Sequence, residues 1–209
     1  MSNVIITIGR QYGSGGRYIG ELAAKELGIA FYDEELITLA ADKSDLCHEA
    51  AFEADERNAS SLLYTLAMGS STMLHSSHYN MPINDKLFLA QSEIIRDIAH
   101  KESAVIVGRC ADYVLREHPN TFSVFIYADE KLRIKNIMKR SDISENEARS
   151  LMSKTDRRRA NYYNYYTGQK WGKLENFDIA LDSAKLGVDK TADMLYHFIT
   201  YYKEQYLND

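Results

Sequence analysis

The chain reads as an α/β protein: a parallel sheet covered by helices on both faces. Three observations predict this. Short β-branched apolar runs recur along the chain, and most are followed by a segment of helical period. The first of these junctions is rich in glycine. The turns after three of the runs carry the polar residues of greatest chemical interest, and in a parallel sheet those turns share the carboxyl edge, where ligands bind.

The elements follow in order. Val4 to Ile8 is a short β-branched run, the pattern of a strand buried on both faces. Ile19, Leu22, Ala23 and Leu27 then fall at helical spacing, and Gly28 is placed to end that helix in a left-handed conformation. "IAFYD" is a brief second strand and "EELITLAADK" a helix. Residues 42 to 84 interrupt the alternation. They contain one or two helices and a polar loop, "SSTMLHSSHYNMP", and read as an insertion over one end of the sheet. "KLFLAQSEIIRDIAHK" restores a helix, with Leu87, Ile94, Ile95 and Ile98 on one face. "SAVIVGR" is a buried strand closing on Gly108 and Arg109, and "TFSVFIYA" is another. Asp129 caps the helix "DEKLRIKNIMKR". Ser144 and Glu147 form a capping-box pattern that opens a long helix. "FDIALDS" is the last strand, and residues 188 to 206 close the chain as a helix.

With 209 residues and no internal repeat, the chain is expected to form one domain, 1–209. Its 45% apolar and 26% charged content is ordinary for a globular protein. The net charge of −5 argues against a non-specific nucleic-acid binder, yet leaves room for a local basic site. Cys47 and Cys110 lie far apart and match no zinc or disulfide pattern, so a reduced, cytoplasmic compartment is expected. "MSNVIITIG" lacks the basic region of a signal peptide. No apolar run is long enough to cross a membrane, and no membrane partner is expected.

The glycine-rich turn is the most informative stretch. Gly13, Ser14, Gly15 and Gly16 let the backbone wrap an anion with no Cβ in the way, and the helix that follows adds the partial positive charge of its N-terminus. The standard phosphate loop reads G-x-x-x-x-G-K-[ST]. Aligning Gly16 and Arg17 on its G-K places Gln11 at the first glycine. Arg17 keeps a positive charge in the lysine position, and Tyr18 replaces the small hydroxyl that touches Mg²⁺. The competing reading is a glycine-rich turn without a ligand.

"ITIGRQYGSGGRYIGELAAKELGIAFYDEELI" closely resembles the first motif of the cytidylate kinase-like proteins, a branch of the P-loop nucleoside monophosphate kinases, arginine in the lysine position included. "VIVGRCADYVL" resembles their second motif, and the C-terminal third resembles their lid and final strand–helix unit. The resemblance implies a three-layer α/β/α P-loop kinase fold with a parallel sheet, a helical insertion (about 42–84) and a helical lid (about 141–172). It implies transfer of the ATP γ-phosphoryl group to a nucleoside monophosphate, CMP or dCMP, with Mg²⁺. It also implies residue roles. Gly13, Ser14, Gly15, Gly16, Arg17, Tyr18 and Arg133 would bind ATP. Asp33, Arg109, Asp156, Arg157, Arg158 and Arg159 would bind the acceptor, and Arg17, Arg109 and Arg159 would be catalytic. It assigns no metal ligand.

The chain departs from that family's pattern in two places. The lid pattern R-D-x-x-D-x-x-R becomes "MSKTDRRR", with Met152 and Ser153 in the first two positions and Asp156 and Arg159 matching the last D-x-x-R. After Asp33, "EELITLA" lacks the arginine of the acceptor motif. Two alternatives follow: a kinase for another small metabolite, and a nucleotide-binding regulatory module without catalysis. By itself "DRRR" reads as a solvated helix face; the fold context singles out Arg159. Asp33 also reads as a helix cap, and Arg109 as the cap of its own strand. The tyrosine-rich stretch 162–171, "YYNYYTGQKW", reads as helix packing or a self-association surface rather than a platform for bases. His75 and His78 lack a third ligand and read as loop residues.

Overall fold

A computed structural model describes residues 3–33, 35–43 and 82–206. Most of the expected insertion, with Cys47, His75 and His78, lies outside the described residues.

Five strands form one parallel sheet in the order β2-β3-β1-β4-β5. They are β1 (Ile5–Arg10), β2 (Ala30–Tyr32), β3 (Ala104–Val107), β4 (Thr121–Tyr127) and β5 (Ile179–Asp182). The helices between them are α1 (Gly16–Leu27), α2 (Glu35–Lys43), α3 (Ile83–Lys101), α4 (Ala111–Val114), α5 (Glu130–Ser141), α6 (Glu145–Thr167), α7 (Ser183–Leu186) and α8 (Val188–Tyr206). The short helices α4 and α7 have no sequence signal of their own, because four residues are too few to show a period.

The period-two alternation of the buried strands divides the core. Ile6, Ile8, Val105 and Val107 pack with Ile19, Ala23, Leu195 and Ile199 of α1 and α8 on one face. Ile5, Ala104 and Ile106 pack with Leu36, Leu87 and Ile95 of α2 and α3 on the other. Burying a large aliphatic side chain contributes about 1.5–3 kcal/mol, so these two clusters hold the layers together. A third, smaller cluster joins α5 to α6 through Ile134, Ile137, Ala148 and Met152. Met152, at the first lid-arginine position, is therefore a core residue here.

The caps form as the residue types dictate. Gly28 ends α1 at φ 65°. The Asp129 carboxylate accepts from Leu132 N–H. Ser144 and Glu147 make the capping box at the start of α6. The topology then sets the site. β1 is central, with β3 on one side and β4 on the other, so its carboxyl end lies where the chain leaves toward opposite halves of the sheet.

Candidate active site

The four carbonyls of the loop after β1 all accept hydrogen bonds. Gln11 O accepts from Ser14 Oγ at 2.8 Å, Tyr12 O from Arg133 Nε at 2.8 Å, Gly13 O from Asn136 Nδ2 at 2.9 Å, and Ser14 O from Ser183 Oγ at 2.6 Å. Gly13 makes this turn at φ 82°, and a Cβ there would lie 2.6 Å from Arg133 O. Only glycine meets both conditions. At the other end of the loop α1 carries no side-chain cap, and Ile19 N–H makes the first helical bond, to Gly15 O. The amides of Gly16, Arg17 and Tyr18 precede that bond and lie at a cavity of about 840 Å³. The result is a set of N–H donors at a helix N-terminus beside open space, which is the arrangement that binds anions.

Beside the loop, the cavity is lined by Asn136, Ile137, Lys139 and Arg140 of α5 and by Val188 and Asp189 at the start of α8. Arg10, Arg17, Asp33 and Arg159 line it too. Tyr12 stands between Arg140 and Arg159, whose guanidinium carbons lie 4.8 Å and 5.5 Å from its ring centre.

Arg17 points away from the loop. Its Nε donates to Asp33 Oδ2 at 2.9 Å and its Nη1 to Glu21 at 3.1 Å, while the side chain stays 56% exposed. The Asp33 carboxylate therefore does not cap α2. It is 5% exposed and lies between Arg17 and Arg10, with Arg10 Nη2 at 3.5 Å.

Arg109 stands in an unusual turn. Gly108, Arg109 and Cys110 have successive φ values of 78°, 57° and 54°. Left-handed conformations cost a non-glycine residue about 1–3 kcal/mol each, and such strain collects at functional sites.

The charged middle of α6 is seated on the loop. Asp156 accepts from Tyr12 N–H at 2.8 Å and pairs with Arg133 Nη2. Arg159 Nη1 donates to Arg10 O at 3.0 Å. Burial, then the like charge of Arg10, presses the Arg159 guanidinium well below the ordinary arginine value, and Asp156 and Asp33 pull it back. Helix α6 is thus in contact with Arg10 and Tyr12 at the start of the loop. Arg133 is committed to Tyr12 O and Asp156, so it supports the loop and does not line the cavity. Arg157 is exposed, as a solvated helix face would be, and neither it nor Arg158 lines the cavity. Tyr18 is 50% exposed.

The tyrosines of α6 pack against its neighbours. Tyr162 OH donates to Gln91 Oε1, Tyr166 stacks on Phe88 and donates to Asp85, and Tyr163 OH donates to Asp112. Arg10, Asn136 and Arg140 are site residues that the loop pattern does not mark. The one available signal is an arginine placed directly at the end of an apolar strand run.

No group of three His, Cys, Asp or Glu side chains able to hold a metal occurs among the described residues. Asp33 is engaged by two arginines, and the residue after Arg17 offers no short hydroxyl. These donors do not fit a protein-held Mg²⁺. No helix among the described residues is long and apolar enough to cross a membrane.

The family model described as the cytidylate kinase-like family matches residues 5–185. The structure is similar to that of an uncharacterized protein from Eubacterium ventriosum, with 30% identity, a TM-score of 0.70, and coverage of 95% of this chain and 99% of that one. It is also similar to shikimate kinase from Bacteroides thetaiotaomicron (12% identity, TM-score 0.51, 94% and 98% covered). A sugar kinase from Janibacter sp. HTCC2649 is comparable (14% identity, TM-score 0.50, 95% and 95% covered). These last two likenesses show the fold, that of the P-loop kinases. No curated protein matches the chain.

Proposed function

The chain belongs to the cytidylate kinase-like family, and on that premise we propose that it transfers the γ-phosphoryl group of ATP to a nucleoside monophosphate, CMP or dCMP first among them. The observation that carries this reading is the loop from Gln11 to Ser14, whose four carbonyls all accept hydrogen bonds, three of them from residues outside the loop, while the residues at the start of α1 line the cavity. Such a cradle suits the β- and γ-phosphates of a nucleoside triphosphate.

In this mechanism Asn136, Arg140 and the start of α8 flank the nucleoside of ATP. Arg17 exchanges Asp33 for the β- and γ-phosphates. An oxygen of the acceptor phosphate attacks the γ-phosphorus in line, the bond to the β–γ bridging oxygen breaks, and ADP leaves. Arg109 and Arg159 neutralise charge on the moving group and the acceptor, while the α6 contacts to the loop exclude water. The protein contributes position and positive charge, which is most of what phosphoryl transfer requires.

A second acceptor class has its own support. Asp33, which the resemblance assigns to nucleoside binding, is occupied by Arg10 and Arg17. That favours a kinase acting on another small anionic metabolite. Incubation with γ-labelled ATP and each candidate acceptor separates the two. Label in CDP or dCDP supports the first reading, and label only in a different metabolite replaces it with the second.

A further inference from the structure

Arg109 is carried by a turn that its own residue types resist. Gly108 adopts a φ of 78° freely, but Arg109 and Cys110 follow it at 57° and 54°. Such values cost a non-glycine residue about 1–3 kcal/mol each, and they persist only where the surroundings over-determine them. Local bonds supply part of the restraint. Gly108 N–H donates to Ile8 O at 3.0 Å, Ala111 N–H to Gly108 O at 3.1 Å, and Val114 N–H to Cys110 O at 2.8 Å. Helix α4, which follows, has four residues and is too short to hold a position by itself.

A further restraint comes from α6. Tyr163 is 5% exposed, and its hydroxyl donates to Asp112 Oδ2 of α4 at 2.7 Å. Gln169 Oε1 lies 3.0 Å from the same hydroxyl. One phenolic proton serves one acceptor at a time, and the carboxylate, closer and the stronger acceptor, holds it. The end of α6 is built around this ring. Gly168 closes the helix at φ 68°, which turns the chain back and brings Gln169 beside Tyr163. Thr167 Oγ1 donates to Tyr163 O at 2.6 Å and accepts from Gln169 N–H at 3.0 Å.

Tyr163 stands one helical turn after Arg159, on the same face of α6. Asp112 follows Arg109 closely, in the first turn of α4. The hydroxyl therefore joins the element that carries Arg109 to the element that carries Arg159, near both arginines.

We propose that Tyr163 is a positioning residue for phosphoryl transfer: by holding Asp112, it fixes the strained turn of Arg109 against the helix of Arg159. The word transfer rests on the reading above; the tether itself does not. Tyr163 acts through the two arginines and not on the substrate, keeping two guanidiniums in register around the moving group. The tolerance is small, since a displacement of about 1 Å in such a site costs about a hundredfold in rate.

The test compares full-length wild type, Tyr163→Phe, Asp112→Ala, Asp112→Asn and the double variant Tyr163→Phe/Asp112→Ala by steady-state kinetics and by hydrogen–deuterium exchange. Tyr163→Phe removes one oxygen and keeps the buried ring. It is expected to lower kcat about tenfold or more, with less than about a twofold change in the KM for ATP. Peptides covering residues 108–114 should exchange faster, because their amide bonds lose the support of α6. Asp112→Ala should match it, and the double variant should be no worse than either single, because each removes the same bond. Asp112→Asn, whose amide oxygen still accepts from the phenol, recovers part of the loss.

A kcat equal to wild type in Tyr163→Phe, with only a lower melting temperature, overturns the proposal. So do losses that add in the double variant, or exchange over 108–114 that does not change. Faster exchange in Tyr163→Phe, beside a wild type that transfers no phosphoryl group from ATP, removes the kinase reading and the role in transfer with it, and leaves the tether standing.

Discussion

Arg17 Nε donates to Asp33 Oδ2 at 2.9 Å, so the arginine in the lysine position of the phosphate loop rests on the residue that follows β2. The Asp33 end of this pair is buried and the Arg17 end is 56% exposed. An exposed arginine exchanges one anion for another at small cost. Its partner in this structure is a carboxylate, and in the proposed reaction it is a triphosphate.

Arg17→Met should therefore abolish turnover and leave the fold intact. Phosphoryl transfer by the variant is measured beside its circular dichroism and melting temperature. Near-normal activity would remove Arg17 from the mechanism.

Arg109 sits in a left-handed turn at the end of β3, and its charge reaches Arg159. Arg109→Ala should raise the acceptor KM about tenfold or more, with less than about a twofold change in the KM for ATP. Steady-state kinetics with each substrate varied in turn measures this. Equal rises in both would assign Arg109 to the general stability of the site.

Asp156 joins α6 to the loop through Tyr12 N–H and Arg133. Arg133 is largely buried, and removing one partner of such a pair leaves an uncompensated charge. Asp156→Ala should cost about 3 kcal/mol. For a chain of this size that is a fall in Tm of roughly 6–12 °C. ATP affinity should fall too, because Tyr12 O and Gly13 O are held by the same helix, α5. Calorimetry of the variant with and without ATP tests both effects.

Asp112 provides a pH prediction. Burial pushes its carboxyl above the ordinary value, while the hydrogen bond from Tyr163 pulls it down. A carboxyl raised in the folded state holds its proton more tightly there than in the unfolded chain. Stability from this group is thus present below the unfolded value of about 3.9 and is lost as pH rises through the folded value. Asp112→Asn should flatten the pH dependence of stability above about pH 4. Denaturant midpoints at several pH values measure the slope, and an unchanged slope would contradict the assignment.

The fold was legible because burial on both faces imposes a readable pattern. Val4 to Ile8, the strand before Gly108 and the strand before Asp129 are β-branched and short, and Gly28, Asp129 and Ser144 mark helix ends by local chemistry. The loop was legible for the same reason, since Gly13 and Gly16 answer local backbone demands. The ion pairs were not. Arg17 and Asp33 are 16 positions apart, and Arg133 and Asp156 are 23 apart, and nothing in either residue's neighbours names its partner. Arg10 was hidden because the phosphate-loop pattern begins after it. The charge of Arg133 is visible in sequence, while the Tyr12 carbonyl that accepts its hydrogen bond is not. The tyrosines after residue 161 looked ambiguous because their partners, Phe88, Gln91 and Asp112, come from α3 and the start of α4.

The central claim is phosphoryl transfer to a nucleoside monophosphate. ADP release from ATP and Mg²⁺ tests it most directly, measured with and without each of CMP, dCMP, UMP and AMP, with Arg17→Met as the blank. Strong stimulation by CMP or dCMP, absent in the blank, is the expected result. ATP binding without stimulation by any of the four would contradict it.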